Sequence, residues 1–171
     1  VHVRYFTALR RSKDDSTSAD RQMAYLKALS TVADLTIHYG QYKERASRYR
    51  LEDGTGYADV IRPEEKGSDV NLASMLILDE AANCFDLALV VSNDTDLLMP
   101  IRIVREHFAK AVGVAPPVYF KNRNHNAELI AAADLAIPIT KDFKPDIKAA
   151  QFTLEFEHPT AGRVYRPSSW A

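Results

Sequence analysis

Residues 90–101 read VVSNDTDLLMPI: an apolar run ends at Asp94 and Asp96, two carboxylates one residue apart, and the chain then turns apolar again. The run before the acids, FDLALVV, has the length and composition of a buried strand. The run after them, DLLMPIRIVREHFAK, has the spacing of an amphipathic helix. A strand that passes through a short polar turn into a helix is one half of a parallel βαβ unit, so the flanking segments decide whether such units repeat.

They do repeat. Immediately upstream, SDVNLASMLILDEAAN places Val70, Ala73, Ile77 and Ala81, with Leu72, Leu76 and Leu78 alongside, on a broad apolar helical face beginning at Ser68. Earlier still, VHVRYFTAL alternates like a strand. SADRQMAYLKALSTVA then sets Met23, Leu26, Ala28 and Leu29 near helical spacing with Ser18 as a cap, and LTIHYGQY alternates again. The polar turn EDGTG separates ASRYRL from YADVIR, which either pair as a hairpin or form two arms of a flap. Downstream, AVGVA, NAELIAAADL, AIPI and the helical KDFKPDIKAA continue the alternation.

The pattern predicts an α/β fold of three layers: a largely parallel sheet with helices on both faces and right-handed crossovers. A chain of 171 residues, 46% hydrophobic and 26% charged, suits one core, so a single domain over 1–171 is expected, with 140–171 as a C-terminal extension packed on it. The single cysteine, Cys84, excludes a disulfide framework and a cysteine metal cage, and reads as a small buried apolar side chain in a reducing compartment. No apolar run approaches the ~20 residues that span a bilayer, and no secretory leader pattern opens the chain, so a cytoplasmic protein with no membrane partner is expected. A formal charge of -1 gives no general attraction to nucleic acid; such a partner must be held by a local patch.

In open α/β sheets ligands bind at the carboxyl ends of the strands, which is where FDLALVV delivers Asp94 and Asp96. One aspartate there reads simply as a helix cap. A second beside it adds repulsion that a cation relieves, and hard ions such as Mg²⁺ and Mn²⁺ prefer clustered oxygen ligands. Asp69 opens the preceding helix, and if that helix runs antiparallel to the strand its start lies near the same rim. Read alone, Asp69 after Gly67 is first-turn compensation of the helix dipole. Asp79, on the same helix, is too far along it to share an ion. The histidines show no metal-ligand spacing.

Two basic stretches, YKERASRYR and KNRNH, supply Lys43, Arg45, Arg48, Arg50, Lys121 and Arg123 for backbone phosphates, with Tyr42 or Tyr49 to stack on bases. Lys66 is a further phosphate candidate. The plainer reading of each is a solvated surface cation.

EEKGSDVNLASMLILDEA together with FDLALVVSNDTDLLMPIRIVRE resembles the NYN domain family, PIN-like nuclease relatives that include the LabA-like bacterial proteins. VRYFTA, RQMAYLKAL and IHYGQY resemble that family's second strand, helix and third strand. VGV and NAELIAAADLAIPI resemble its later core, and RVYRPSSW resembles a terminal signature of one bacterial branch. The resemblance implies a PIN-like fold and a divalent-metal-dependent ribonuclease. Its acidic site falls on Asp69, Asp94 and Asp96, Asp94 as the most direct ligand of Mg²⁺ or Mn²⁺, with Ser92 as a supporting hydroxyl and RNA as the partner. The family's first strand, which ends in an aspartate, has no counterpart here, and Asp14 and Asp15, in a polar loop, do not replace it. A sheet without that strand would expose edge groups, which a homodimer or a partner strand would cover. It also gives the alternative expectation: a catalytically impaired RNA-binding or protein-interaction module of the same fold.

Overall fold

The computed structural model describes residues 1–10, 16–117, 125–139, 155–158, 160 and 162–165. In chain order the elements are β1 (Val3–Ala8), α1 (Ser16–Leu29), β2 (Leu35–Arg50), β3 (Tyr57–Lys66), α2 (Ser68–Ala81), β4 (Leu87–Val90), a 3-10 turn (Thr95–Leu97), α3 (Leu98–Phe108), β5 (Ala111–Val114), α4 (Ala127–Ala132), β6 (Leu135–Ala136), β7 (Glu155–His158) and β8 (Gly162–Tyr165). They form two units, Val1–Ser68 with Phe152–Ala171, and Asp69–Gln151. The helix expected at KDFKPDIKAA lies outside the described residues.

In the first unit β2 serves two partners in succession. Its first part, Leu35–Gly40, pairs in parallel with β1, from Val3↔Leu35 to Ala8↔Gly40. From Gln41 the same strand pairs antiparallel with β3, from Gln41↔Lys66 to Arg50↔Tyr57. Gly40 sits at the changeover because nothing larger fits: a Cβ there would lie 2.7 Å from the Lys66 carbonyl oxygen and 2.8 Å from Ser68 Oγ. The ribbon closes through EDGTG. Leu51 N–H donates to the Gly56 carbonyl at 2.9 Å, Asp53 Oδ1 accepts from Thr55 N–H at 2.9 Å, and Gly54 takes φ +74. The hairpin reading of this region therefore holds, and the arms continue the strand begun by LTIHYGQY.

Among the described residues of this unit the buried apolar side chains are Ala8, Leu26, Ala28 and Leu29, flanked by a stacked Phe6–His38 pair and an edge-on Tyr5–Tyr25 pair. Burial pushes the Tyr25 phenol above its usual pKa. Gln22 ties α1 to the end of β1: its Nε2 donates to the Ala8 carbonyl and its Oε1 accepts from Arg10 N–H, both at 2.8 Å. The antiparallel β7–β8 hairpin lies against α1.

In the second unit β4, β5 and β6 pair in parallel in that order, Leu87↔Ala111 to Val90↔Val114 and Gly113↔Leu135. The core joins Leu76 of α2, Val90, Leu97, Ile101 and Val104, Val112 and Val114, and Leu129 and Ala132. Asp134 fixes α3 to the sheet: Arg105 donates to both its oxygens, at 2.6 and 2.8 Å, and Val112 N–H donates to Oδ2 at 2.9 Å. The Arg105 guanidinium, then the Val112 amide, hold the Asp134 carboxyl below the usual carboxylate range.

The fold is thus α/β, with one parallel and one mixed three-stranded sheet and helices between the strands. Three expectations need correction. The strands are not largely parallel: β2–β3 pairs antiparallel as a hairpin, because the glycine-rich turn returns the chain directly and no crossover helix intervenes, and β7–β8 is antiparallel too. The apolar face of α2 is narrower than its sequence suggests: Leu72, Ala73, Leu76 and Ile77 meet the core, while Val70 and Leu78 are exposed. Cys84 is exposed, since α2 has ended and the chain is turning toward β4 where it stands. No helix among the described residues is long and apolar enough to cross a membrane.

Candidate functional site

The turn after β4 is built by its own side chains. Ala115 N–H donates to the Val90 carbonyl at 2.8 Å, so the chain leaving β5 runs beside the chain leaving β4. Ser92 Oγ then accepts from Asp94 N–H at 3.1 Å. Asp94, in an extended conformation, caps the 3-10 turn: its Oδ1 accepts from Asp96 N–H at 2.9 Å. Leu97, 1% exposed, anchors the end of the turn in the core. Asn93 Oδ1 accepts from Asn126 N–H at 2.8 Å, and Asn126 Oδ1 caps α4 by accepting from Leu129 N–H at 3.0 Å.

This rim gathers Ser92, Asn93, Asp94 and Asp96 with the start of α4. Asn93 and Asn126 were not picked out from the sequence. Asn126 carried a readable signal as an N-cap before AELIAA, whereas the role of Asn93 depends on a partner 33 residues away. Next to Asn126, the Nε2 of His125 is buried without a hydrogen-bond partner among the described residues.

The donor set expected for Mg²⁺ or Mn²⁺ does not fit this arrangement. Asp94 is half-buried with one oxygen committed to the cap, and Asp96 and Asp69 are exposed. Among the described residues no three carboxylate, imidazole or thiol groups come together to hold one ion, so the structure does not bring Asp69 to Asp94 and Asp96 as a ligand set. Free amides at the start of the helical turn compete for the Asp94 carboxylate, and the plain capping role is the one observed. Lys121 and Arg123, like Asp14 and Asp15, lie outside the described residues.

The β2–β3 ribbon offers a second surface. Strand periodicity puts Gln41, Lys43, Arg45, Ser47 and Tyr49 on one face with Ala58, Val60, Arg62, Glu64 and Lys66, and Arg45 stands opposite Arg62. That face carries Lys43, Arg45, Arg62 and Lys66 against the single carboxylate of Glu64. The Arg62 guanidinium lies 5.9 Å from the centre of the Tyr49 ring. Lys66 Nζ bonds Glu64 at 2.7 Å, while Arg45 reaches it only at 3.9 Å. The Lys66 contact is the main reason the Glu64 carboxyl titrates below its usual range. Arg45, Ser47, Tyr49, Arg62, Pro63 and Glu64 line a shallow hollow of about 370 Å³.

The opposite face is different in kind. It carries Arg48 and Arg50 against Glu44, Asp59 and Glu65, and Arg48 lies 5.2 Å from the centre of the Tyr57 ring. The basic stretch YKERASRYR is therefore divided: Arg45 and Tyr49 face one way, and Tyr42, Arg48 and Arg50 face the other.

No protein-family profile matches the chain, and no solved structure matches it. Among curated proteins it is similar to a 6-hydroxy-3-succinoylpyridine 3-monooxygenase, HspA, of Pseudomonas putida (strain DSM 28022 / S16). The two are 40% identical over 147 residues, covering 77% of this chain and 46% of that protein. The chain spans less than half the length of that relative.

Proposed function

We propose that the protein binds RNA on a PIN-like fold of the NYN type, with the Arg45 and Arg62 face of the β2–β3 ribbon as the contact surface. One observation carries this reading: four cations and one carboxylate share an exposed face of a chain whose formal charge is -1. Phosphate contacts release counterions, so a local cationic face binds polynucleotide without a basic protein around it. Fluorescence anisotropy with labelled single-stranded RNA at a series of salt concentrations tests it. Four phosphate contacts correspond to a slope of log K against log salt of about -3. Absence of binding at low salt, or binding indifferent to salt, would overturn the reading.

A metal-dependent ribonuclease is the second reading. It is favoured by the position of Ser92, Asp94 and Asp96 at the carboxyl end of a parallel strand, beside the end of its neighbour. The described residues supply only two adjacent acids there, so cleavage is the test. RNA is incubated with Mn²⁺, Mg²⁺ or chelator, using the parent chain and Asp94→Asn. Metal-dependent cleavage lost in the variant would establish the enzyme; intact RNA throughout would leave binding alone.

The similarity to a protein named for oxygenating 6-hydroxy-3-succinoylpyridine introduces a reading of another class, an oxygenase acting on a pyridine ring. Consumption of that compound by the purified chain, supplied with oxygen and a reductant, would displace the RNA reading.

A further inference from the structure

We infer that the hollow on the Arg45 face of the ribbon is a subsite for one nucleotide of a single-stranded polynucleotide, with the phosphate on Arg45 and Arg62 and the base on Tyr49. This rests on the RNA reading and narrows it to one face, one ligand unit and one strandedness.

Like charges directly opposite each other across two strands are destabilising, and Arg45↔Arg62 is such a pair. Glu64 is the one carboxylate on this face, and it serves Lys66 at 2.7 Å and Arg45 at 3.9 Å as well as the field of Arg62, so three cations share a single anion. A phosphate offers what the face lacks: several anionic oxygens that two guanidinium groups can bond at once.

Tyr49 supplies the other half of the subsite. Tyr49 is 45% exposed, and Arg62 lies over its ring, so a cation and an aromatic surface fall within the reach of a single nucleotide. Ser47 lies between Arg45 and Tyr49 on the same face and adds a hydroxyl. A hollow of about 370 Å³ lies at the small end of the usual range for ligand sites, which suits one unit of a chain.

Two features select a single strand lying across the face. The ribbon tip carries Glu52 and Asp53, whose carboxylates repel phosphates and oppose insertion of the tip into a duplex groove. The opposite face, with three carboxylates against two guanidinium groups, does not attract a second backbone. Stacking on Tyr49 requires a base free of its helix, which only a single strand offers without unstacking.

The test uses the full chain, fluorescein-labelled oligo(rU), and a duplex of oligo(rU) with oligo(rA). Arg45→Gln with Arg62→Gln should weaken oligo(rU) binding at least tenfold and flatten its salt dependence. Tyr49→Ala should weaken it about tenfold while leaving the salt slope unchanged, and Tyr49→Phe should restore it. Arg48→Gln with Arg50→Gln, on the other face, should change it less than about twofold. These side chains are exposed, and unchanged thermal melting shows that each variant is folded. Equal loss from the two arginine pairs, or a duplex bound as tightly as the single strand, would overturn the subsite. Failure of the parent chain to bind any RNA would overturn the RNA reading itself.

Discussion

The parallel sheet of β4, β5 and β6 and the antiparallel ribbon of β2 and β3 use backbone pairing to opposite ends. Val112 and Val114 of β5 are 0% exposed, packed with Ile101, Val104 and Leu129, so side chains there are spent on burial. None of the paired ribbon residues from Gln41 to Arg50 and Tyr57 to Lys66 is buried. The ribbon is held by its ladder, its turn and cross-strand contacts such as Arg48 on Tyr57, and its charged side chains remain available to a ligand. The contrast is one of burial: β5 and the ribbon stand at its two ends, and β4 lies between them, with Val90 5% exposed but Leu87 and Leu89 53% and 52% exposed.

The sharpest way to break the comparison is in the core. Ile101→Ala is expected to destabilise the second unit by about 2–5 kcal/mol, read by chemical denaturation. At temperatures where the variant is folded it should leave the proposed RNA binding unchanged; a matching loss of that binding would mean that the ribbon depends on that core. Gly40→Val attacks the ribbon at its root, where a side chain would meet the Lys66 carbonyl. A loss of about 1–3 kcal/mol is expected, with faster amide exchange along β2 and β3. Unchanged exchange would show that the changeover tolerates bulk.

A smaller effect is expected at the end of β4. Asp94→Ala should cost about 1 kcal/mol through loss of the cap, whereas Asp94→Asn should retain most of it, as thermal melting will show. A rise in melting temperature for Asp94→Asn would instead expose repulsion between Asp94 and Asp96 as the larger effect.

The smallest effect separates the units by pH. Arg105 and the Val112 amide hold the folded-state pKa of Asp134 below its unfolded value of about 3.9. Its contribution is therefore fully present above that unfolded value and is lost as pH falls through the lower folded one. Asp134→Asn should make the second unit's melting temperature less steeply dependent on pH below about pH 4. An identical acid limb in parent and variant would show that another group controls it.

Much of the fold could be read along the chain. The strand VRYFTA, the helix from Ser68 and the passage from LALV through Asp94 into LMPIRIVREHF all appear where periodicity and caps put them. Val70 and Leu78 misled because helical spacing shows which residues share a face, and only the neighbouring elements decide how wide a stripe of it is covered. Cys84 misled for the same reason: its apolar neighbours suggest burial, and the turn that exposes it is set by where α2 stops.

The candidate sites divide in the same way. The capping role of Asp94 was readable from its place before a helix. The meeting of Asp69 with Asp94 and Asp96 was not, because it requires distances set by packing, and the structure does not form that cluster. The split of Arg45 from Arg48 was implicit in a period of two, once YKERASRYR was taken as a strand and not as a loop.

By itself the sequence determined the alternation of strand and helix, the turn at EDGTG, the acidic pair after β4 and the presence of a basic, tyrosine-bearing segment, because each depends on neighbours within a few residues. Only the tertiary structure decided that β2 changes partner at Gly40, that Asn93 reaches Asn126, and that Arg45 faces Arg62 with Tyr49 beside them. Those facts depend on hydrogen bonds and packing between segments far apart in the chain, whose register no local pattern encodes.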